Sequence, residues 1–402
     1  MLVNNTSLHF RKEFCMSDGL KSYGEELNSK EITSFLDYAM KQNDALAAKG
    51  KRGTPICIWG KHGIGKTEMV IQFAKKNNWP YVYCAPAQFE EMGDLHGIPE
   101  IFDPTPDDPN SGDEYTVYRP PAWLRDAIDN IDKSKPGILI LDDFNRAGKR
   151  ILQGCMQLLQ MYALYSWSLP PKWQIVLTAN PEGGEYTVTE MDDAMITRMM
   201  HVTMRFNAKT WAEWAQSDGI DARGIDFVLT YPEVVTGMRT TARSITQFLR
   251  QVEPLKNLDD DVQLMNVRII GNGTLETETV NSFIHFCRNI QATLIQPEEI
   301  LDGNFNKDIK PRLKKLISGD GQGKRVDRLK TICTRLQLYL LQDSYVVKEN
   351  HKKNLNDFFM FEEMDSSLRF SVHRAIANAT NRPDLRKLLK DRKTAEDILN
   401  KL

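Results

Sequence analysis

The run Gly60-Lys61-His62-Gly63-Ile64-Gly65-Lys66-Thr67 sets glycines, a lysine and a hydroxyl at the spacing G-x-x-x-x-G-K-[ST]. Gly60, Gly63 and Gly65 let the backbone approach a ligand closely. Lys66 is a point charge suited to the β- and γ-phosphates of a nucleotide such as ATP. The Thr67 hydroxyl is a hard oxygen suited to the accompanying Mg²⁺. The flanks agree. Pro55-Ile56-Cys57-Ile58-Trp59 reads as a buried strand, and Lys66 to Asn77 reads as a helix with Met69, Val70, Phe73 and Ala74 on one face. The N–H groups of that helix start and its dipole would face the phosphates. The candidate nucleotide-binding segment is therefore Gly60, Lys61, His62, Gly63, Ile64, Gly65, Lys66 and Thr67, with Glu68 beside them in the first helical turn.

Cleaving a triphosphate needs more groups than a phosphate loop. Asp142 and Asp143 follow a second buried-strand pattern, Gly137–Leu141. One carboxylate suits Mg²⁺ and the other suits the attacking water. Alone, two aspartates at a strand end are equally a solvated turn. Downstream of a phosphate loop, within one α/β unit, they point to hydrolysis. Asn180 ends the next strand, which runs over Gln174–Leu177, and its amide suits the water or the γ-phosphate. Taken alone it is a turn residue before Pro181. Arg198 lies in a short helical pattern, Asp192–Met200, where an arginine in an oligomer reaches a neighbour's γ-phosphate in trans. Arg243, in Thr240-Thr241-Ala242-Arg243-Ser244, opens a later helix from which it would contact the phosphates in cis.

These groups need a scaffold. Asn28 followed by Glu31 marks a helix start, with Ile32, Phe35, Leu36, Ala39, Met40 and Leu46 at helical spacing and Gly50 as the stop. Strand patterns recur at Tyr81–Cys84, Gly137–Leu141, Gln174–Leu177 and His201–Met204, separated by helical ones. That alternation predicts an α/β fold with a parallel sheet covered on both faces. Phe89 to Pro121 reads as irregular, and Tyr165–Trp173 reads as a hairpin around Leu169-Pro170-Pro171. From Ala208 on, only helical patterns remain.

Composition excludes several classes. The 402 residues carry a net charge of −2, so nothing global points to nucleic acid or to an acidic partner. The six cysteines are scattered without a C-x-x-C pair, which suits buried thiols in a reducing cytoplasm. No apolar run reaches the length of a membrane span, and no signal-peptide core is visible. The acidic loop Asp103–Asp113 is broken by prolines and lacks calcium-loop spacing, and no H-x-x-H pair suggests a transition metal.

With these residues in place, the chain resembles a MoxR-type AAA+ ATPase. The matching segments run in family order from Ile32 to about Pro254: GKHGIGKT, DLHGIP at Asp94–Pro99, PPAWL at Pro120–Leu124, and GILILDDFNRA at Gly137–Ala147. SLPPKWQIVLTANPE at Ser168–Glu182, DDAMITRM at Asp192–Met199, WAEWAQSDGI at Trp211–Ile220 and TARSI at Thr241–Ile245 continue the match. The resemblance implies a sheet of order 5-1-4-3-2, a small helical lid and a ring, usually of six subunits. It assigns Walker A to Gly60–Thr67, Walker B to Asp142 with Asp143, sensor 1 to Asn180, the arginine finger to Arg198 and sensor 2 to Arg243. The implied organisation is a flexible N-terminus over 1–27, an α/β core over 28–206, a lid over 207–255 and an α-helical C-terminal domain over 256–402. A helix-2 insert falls at about 89–119 and a pre-sensor-1 hairpin at about 165–173. In such rings both inserts line or cap the pore and touch a protein client, often with a von Willebrand factor A partner. Two positions depart from the pattern. Asp143 stands where many relatives carry glutamate, which points to slow hydrolysis. Ala242 stands where proline is frequent, which points to a looser turn before Arg243.

Three other readings compete. Ten Lys/Arg against three Asp in Phe305–Leu336 suit a nucleic-acid translocase or loader, or equally a solvated helix face with a turn at Ser318–Gly323. Asp143 also suits a nucleotide-dependent scaffold with little turnover. A P-loop kinase leaves Asn180, Arg198 and Arg243 unexplained.

Overall fold

The computed structural model describes residues 14–15, 21–104, 112–129, 135–183, 187–236, 239–291, 294–318, 326–380 and 382–389. Most of the expected flexible N-terminus (1–13 and 16–20), the centre of the acidic loop (105–111) and the expected turn beyond Ser318 (319–325) lie outside the described residues. The chain forms two units, Met1–Asn207 and Ala208–Leu402.

The first unit opens with a short antiparallel pair, β1 (Phe14–Cys15) and β2 (Lys21–Ser22), then β3 (Glu25–Leu27) and α1 (Ser29–Ala47). There follow β4 (Ile56–Trp59), α2 (Lys66–Lys76), β5 (Tyr81–Cys84), α3 (Met92–His96), β6 (Ile98–Phe102), β7 (Tyr115–Arg119) and α4 (Ala122–Asp129). The unit continues with β8 (Gly137–Leu141), α5 (Lys149–Met161), β9 (Ala163–Leu164), β10 (Trp167–Ser168), β11 (Trp173–Ala179), α6 (Asp193–Ile196) and β12 (Met200–Met204). The central sheet is wholly parallel, in the order β3-β12-β4-β11-β8-β5. Without β3 this is the expected 5-1-4-3-2.

Strand periodicity builds the two sides of this sheet. Ile56, Ile58, Ile138, Ile140 and Val176 point to one face and pack with Ile32 and Leu36 of α1 and Val70 and Phe73 of α2. Cys57, Trp59, Leu139, Leu141, Ile175 and Leu177 point to the other and pack with Ile151, Cys155 and Leu158 of α5. Each fully buried apolar side chain contributes about 1.5–3 kcal/mol, against the entropy of ordering it. Helix α1 starts as its sequence requires. Asn28 Oδ1 accepts from the backbone N–H groups of Lys30 (2.9 Å) and Glu31 (3.2 Å), and Glu31 Oε2 accepts from Asn28 N (2.8 Å).

Three expectations need correction. The N-terminal stretch through residue 27, read as flexible, supplies an edge strand. Glu25–Leu27 pairs in parallel with Val202–Met204, Thr203 Oγ1 donates to Tyr23 O (2.9 Å) and Arg205 N donates to Leu27 O (2.8 Å). Its polarity hid it, because edge pairing rests on backbone hydrogen bonds rather than an apolar pattern. The stretch read as irregular contains an antiparallel hairpin, β6–β7, in register from Ile98↔Arg119 to Phe102↔Tyr115. Every β6 residue is exposed, so no buried face writes a period into the sequence. The hairpin expected over 165–173 lies earlier. It is β9–β10, turning at Tyr165 with φ +50°, while Leu169 and Pro170 are fixed by their carbonyls to the Arg52 guanidinium at 2.9 Å each. The two hairpins are stitched together. Tyr118 N donates to Ser166 Oγ (2.8 Å), and the rings of Tyr118 and Tyr165 stack at 4.6 Å with His96 against both.

The second unit is helical throughout its described residues. It comprises α7 (Ala208–Ser217), α8 (Ala222–Thr230), α9 (Ala242–Val252), α10 (Asp261–Thr274), α11 (Thr277–His285), α12 (Pro297–Asp302), α13 (Lys310–Ser318), α14 (Val326–Leu340), α15 (Glu349–Phe359) and α16 (Ser366–Ala377), joined by short 3₁₀ and π turns. The segments expected as lid and tail share a core. Phe248 of α9 and Phe227 of α8 meet Phe283 of α11 edge-on at 5.1 and 5.4 Å, and Arg335 of α14 reaches buried Asp226 of α8 at 2.6 Å. Among the described residues no helix is long and apolar enough to cross a membrane.

The edge strand offers a direct check. Gly24 has φ +82°, and a Cβ there would lie 2.0 Å from the backbone oxygen of His201. Gly24→Ala is expected to lower stability by about 1–3 kcal/mol, seen as an earlier thermal unfolding midpoint. An unchanged midpoint would show that the pairing of β3 contributes nothing.

Candidate functional site

The phosphate loop leaves the C-terminal end of β4. Gly60, Gly63 and Gly65 all have positive φ, at 152°, 68° and 95°. A Cβ on Gly60 would lie 2.7 Å from Met204 O, so both torsion and space demand glycine there. Gly65 is the N-cap of α2 and carries no side-chain cap, which leaves the amides of the first turn for an anion. Lys66 is buried and folds back over the loop. Its Nζ donates to Gly60 O (2.7 Å), Lys61 O (3.1 Å) and Asn180 Oδ1 (3.2 Å). His62 and Glu68 are exposed, Glu68 accepting a hydrogen bond from Gln72 (3.0 Å). Lys61 and Ile64 are half-buried in the same loop.

The parallel sheet brings the ends of β8 and β11 beside this loop. Asp142 Oδ1 accepts hydrogen bonds from the Thr67 hydroxyl and from Thr178 Oγ1 (2.6 Å), and Asp142 Oδ2 accepts from the Tyr83 hydroxyl (2.9 Å). Burial alone pushes the Asp142 pKa up. The hydrogen bonds from Thr178, Thr67 and Tyr83, with the charge of Lys66, more than offset this and hold it below the ordinary aspartate value. Burial together with the Asp142 carboxylate pushes the Tyr83 hydroxyl up to about 12, so it remains a donor. Thr67 and Asp142 therefore present adjacent hard oxygens. That donor set fits Mg²⁺, which takes one or two protein oxygens and completes its shell with phosphates and water.

Asp143 sits in the left-handed region with φ +46°, a conformation that aspartate tolerates better than most residues. Its backbone N–H donates to Thr178 Oγ1 (2.9 Å) and its Oδ1 accepts from Asn180 Nδ2 (2.9 Å), with Arg146 Nε at 3.4 Å from Oδ2. The amide orientation of Asn180 follows from its partners. Only oxygen can accept from lysine and only nitrogen can donate to carboxylate, so the one side chain bridges Lys66 and Asp143. Asn145, fully buried, clamps the Asn180 backbone from both sides, donating to its O (2.8 Å) and accepting from its N (3.0 Å).

The structure thus brings Lys66, Thr67, Asp142, Asp143 and Asn180 together. Arg198 stands apart from them in the first unit. It lies just past α6, with its guanidinium on Ala194 O and, at 3.4 Å, on Gln160. With Lys51, Arg52 and Met161 it lines an open cavity of about 710 Å³. Arg243 lies in the second unit, exposed, at the second position of α9. The turn before it, expected to be loose because of Ala242, is held by reciprocal bonds. Ser244 N donates to Thr241 Oγ1 (3.2 Å) and Thr241 N donates to Ser244 Oγ (2.8 Å).

Sequence reasoning missed Thr178, Tyr83 and Asn145. Thr178 left a faint signal, a hydroxyl in an otherwise apolar strand. Thr178→Val removes a donor to Asp142 and the acceptor of Asp143 N at nearly constant volume. It is expected to lower nucleotide turnover about 10–100-fold, with nucleotide affinity kept and Thr178→Ser largely restoring turnover; a fully active valine variant would contradict this. The Asp142 pKa is lower in the folded chain than its ordinary 3.8, so the stability it contributes is present above that value and is lost as pH falls through the lower folded one. Asp142→Asn is expected to flatten this acid limb in unfolding measured against pH.

The family description AAA domain (dynein-related subfamily) matches residues 55–199, the span from the strand before the phosphate loop to just beyond Arg198. No protein of curated function matches the chain. Among solved structures, a mutant of Thermotoga maritima RuvB is 13% identical, over 82% of this chain and 96% of that one, with a TM-score of 0.37. The Thermotoga maritima RuvB described as a Holliday junction branch migration motor is also 13% identical, over 81% and 94%, with a TM-score of 0.34. At these scores neither likeness bears on function. The matched span, its strand order and its phosphate loop agree in likening residues 55–199 to an AAA domain.

Proposed function

We propose that the chain is a ring-forming, MoxR-like AAA+ ATPase, usually six subunits to the ring, that binds ATP between subunits and uses its hydrolysis to remodel or activate a protein client. The observation that carries this reading is the single hydrogen-bonded group made by Lys66, Thr67, Asp142, Asp143 and Asn180. The loop amides and Lys66 bind the β- and γ-phosphates. Thr67 and Asp142 would hold Mg²⁺, which would supply positive charge to offset that of the phosphates. Asp143, steadied by Asn180, orients a water whose oxygen attacks the γ-phosphorus while the bond to the β–γ bridging oxygen breaks, releasing ADP and phosphate. Arg198 meets the γ-phosphate of the neighbouring subunit, and Arg243 reports nucleotide state from the helical unit. Asp143 is a methylene shorter than glutamate and already engaged by Asn180 and Arg146, which supports slow turnover.

The inserts support a protein client. The hairpin β6–β7 exposes Ile98 (73%), Ile101 (72%), Phe102 and Tyr115 beside the carboxylates of Glu100 and Glu114. Exposed apolar surface suits a polypeptide segment, and the Glu100 carboxylate beside it is paired with Arg119. A von Willebrand factor A partner completes the reading by resemblance, and the scattered cysteines suit a cytoplasmic setting. The nucleic-acid alternative rested on the basic stretch Phe305–Leu336. Several of its cations are committed within the fold: Lys310 and Lys314 to Glu362, Arg312 to Glu299 (2.5 Å), Arg328 to Leu316 O (3.2 Å) and Arg335 to Asp226. Lys324 and Arg325 lie outside the described residues.

Subunit mixing tests the ring. Lys66→Ala is expected to abolish ATP binding, and Arg198→Ala to lower turnover about 10³-fold with binding intact. Mixing the two is expected to restore part of the turnover, since each supplies what the other lacks. No turnover at any concentration, even with Asp143→Glu, would end the motor reading; strong turnover by a monomer would end the ring.

A further inference from the structure

Arg198 follows a helix too short to hold itself. Helix α6 is a single turn, and a single turn fixes several torsions for little hydrogen-bonding return. Side chains pin it at both ends. At its start Asp192 Oδ1 accepts from Met195 N (2.9 Å). At its finish the Ile196 carbonyl faces Met199 N (3.2 Å) and His201 Nε2 (2.8 Å).

The second ring nitrogen of His201 decides what this contact is. Trp59 Nε1 lies 2.9 Å from His201 Nδ1. An indole N–H can only donate, so Nδ1 accepts and the ring proton sits on Nε2, where it is donated to Ile196 O. Burial lowers the His201 pKa and keeps the ring neutral, as this arrangement requires. Trp59 is the last residue of β4 and Gly60 comes next. The imidazole therefore grips the phosphate-loop strand with one nitrogen and the Arg198 turn with the other. Backbone pairing of β12 with β4 runs from Met200↔Ile56 to Thr203↔Trp59 and leaves residues 196–199 outside the ladder, so the side chain supplies a tie that the ladder does not.

We infer that His201 is a positioning residue for the intersubunit reaction: with its tautomer set by Trp59, it fixes the turn that presents Arg198 to the neighbouring subunit. This rests on the proposed role of Arg198 in trans.

Two substitutions separate positioning from packing. Asn at 201 reproduces the acceptor facing Trp59 and loses the donor to Ile196. Gln reproduces the donor and loses the acceptor. In the full chain, His201→Asn is expected to lower kcat for ATP roughly tenfold with affinity for a fluorescent ATP analogue unchanged, while His201→Gln keeps most of the turnover. In an Arg198→Ala background His201→Asn is expected to cost nothing further. If the asparagine variant does not fold, Trp59→Phe, which leaves the Ile196 contact in place, is expected to keep most of the turnover, and a loss of roughly tenfold with nucleotide affinity unchanged would overturn the inference. Equal losses in His201→Asn and His201→Gln, lost nucleotide binding, or an added loss in the Arg198→Ala background would each overturn the inference. If Arg198→Ala leaves turnover intact, the reading of Arg198 falls and takes this inference with it. If Arg198→Ala is crippled while His201→Asn is unaffected, only the role of His201 falls.

Discussion

The site is organised around one partly buried carboxylate. Asp142 is drawn out of water and would resist ionisation, yet three hydroxyls, from Thr67, Thr178 and Tyr83, converge on it and keep it charged. Those donors come from the start of α2 and from two strands flanking its own. Only a parallel sheet places the C-terminal ends of successive strands side by side, and in open α/β sheets that edge is where ligands bind. With β11 between β4 and β8, Thr178 reaches Asp142 on one side, and two residues later Asn180 reaches Lys66 on the other.

The rest of the first unit keeps that edge rigid. Strands buried on both faces form its core, and the polar groups at their ends are satisfied by one another. Asn145 commits both ends of its amide to the Asn180 backbone, so the side chain bridging Lys66 and Asp143 stands on a fixed support. Such supporting contacts hold reacting groups in place without touching substrate. The left-handed backbone at Asp143 belongs to the same arrangement. It is a modest strain, held by the Thr178 hydroxyl on its N–H and by the amide on its carboxylate.

Away from the nucleotide edge, polarity is distributed differently. The two hairpins between α3 and β11 join through stacked rings and one backbone hydrogen bond, and they carry exposed apolar side chains at a density that isolated surface residues would not explain. In the helical unit, by contrast, several cations of the basic run pair with acids of the same unit: Lys314 with Glu362, Arg312 with Glu299 and Arg335 with buried Asp226.

Local pattern alone determined much of this protein. The spacing of the phosphate loop, the period of the buried strands and the Asn28–Glu31 cap each depend on residues a few positions apart, so they could be read before any fold was known. The assignment of Asp142, Asp143 and Asn180 to one site was also legible, because strand ends in an alternating α/β pattern must meet at one edge of the sheet. Tertiary structure decided the rest. Edge strand β3 is held by backbone pairing with a partner far along the chain, and hairpin β6–β7 has no buried face to mark it. Thr178 meets Asp142, and His201 meets Trp59, only because the sheet places distant strands at hydrogen-bonding distance. A hydroxyl or an imidazole has no periodicity of its own, and its role is set by which donor or acceptor the fold puts within about 3 Å.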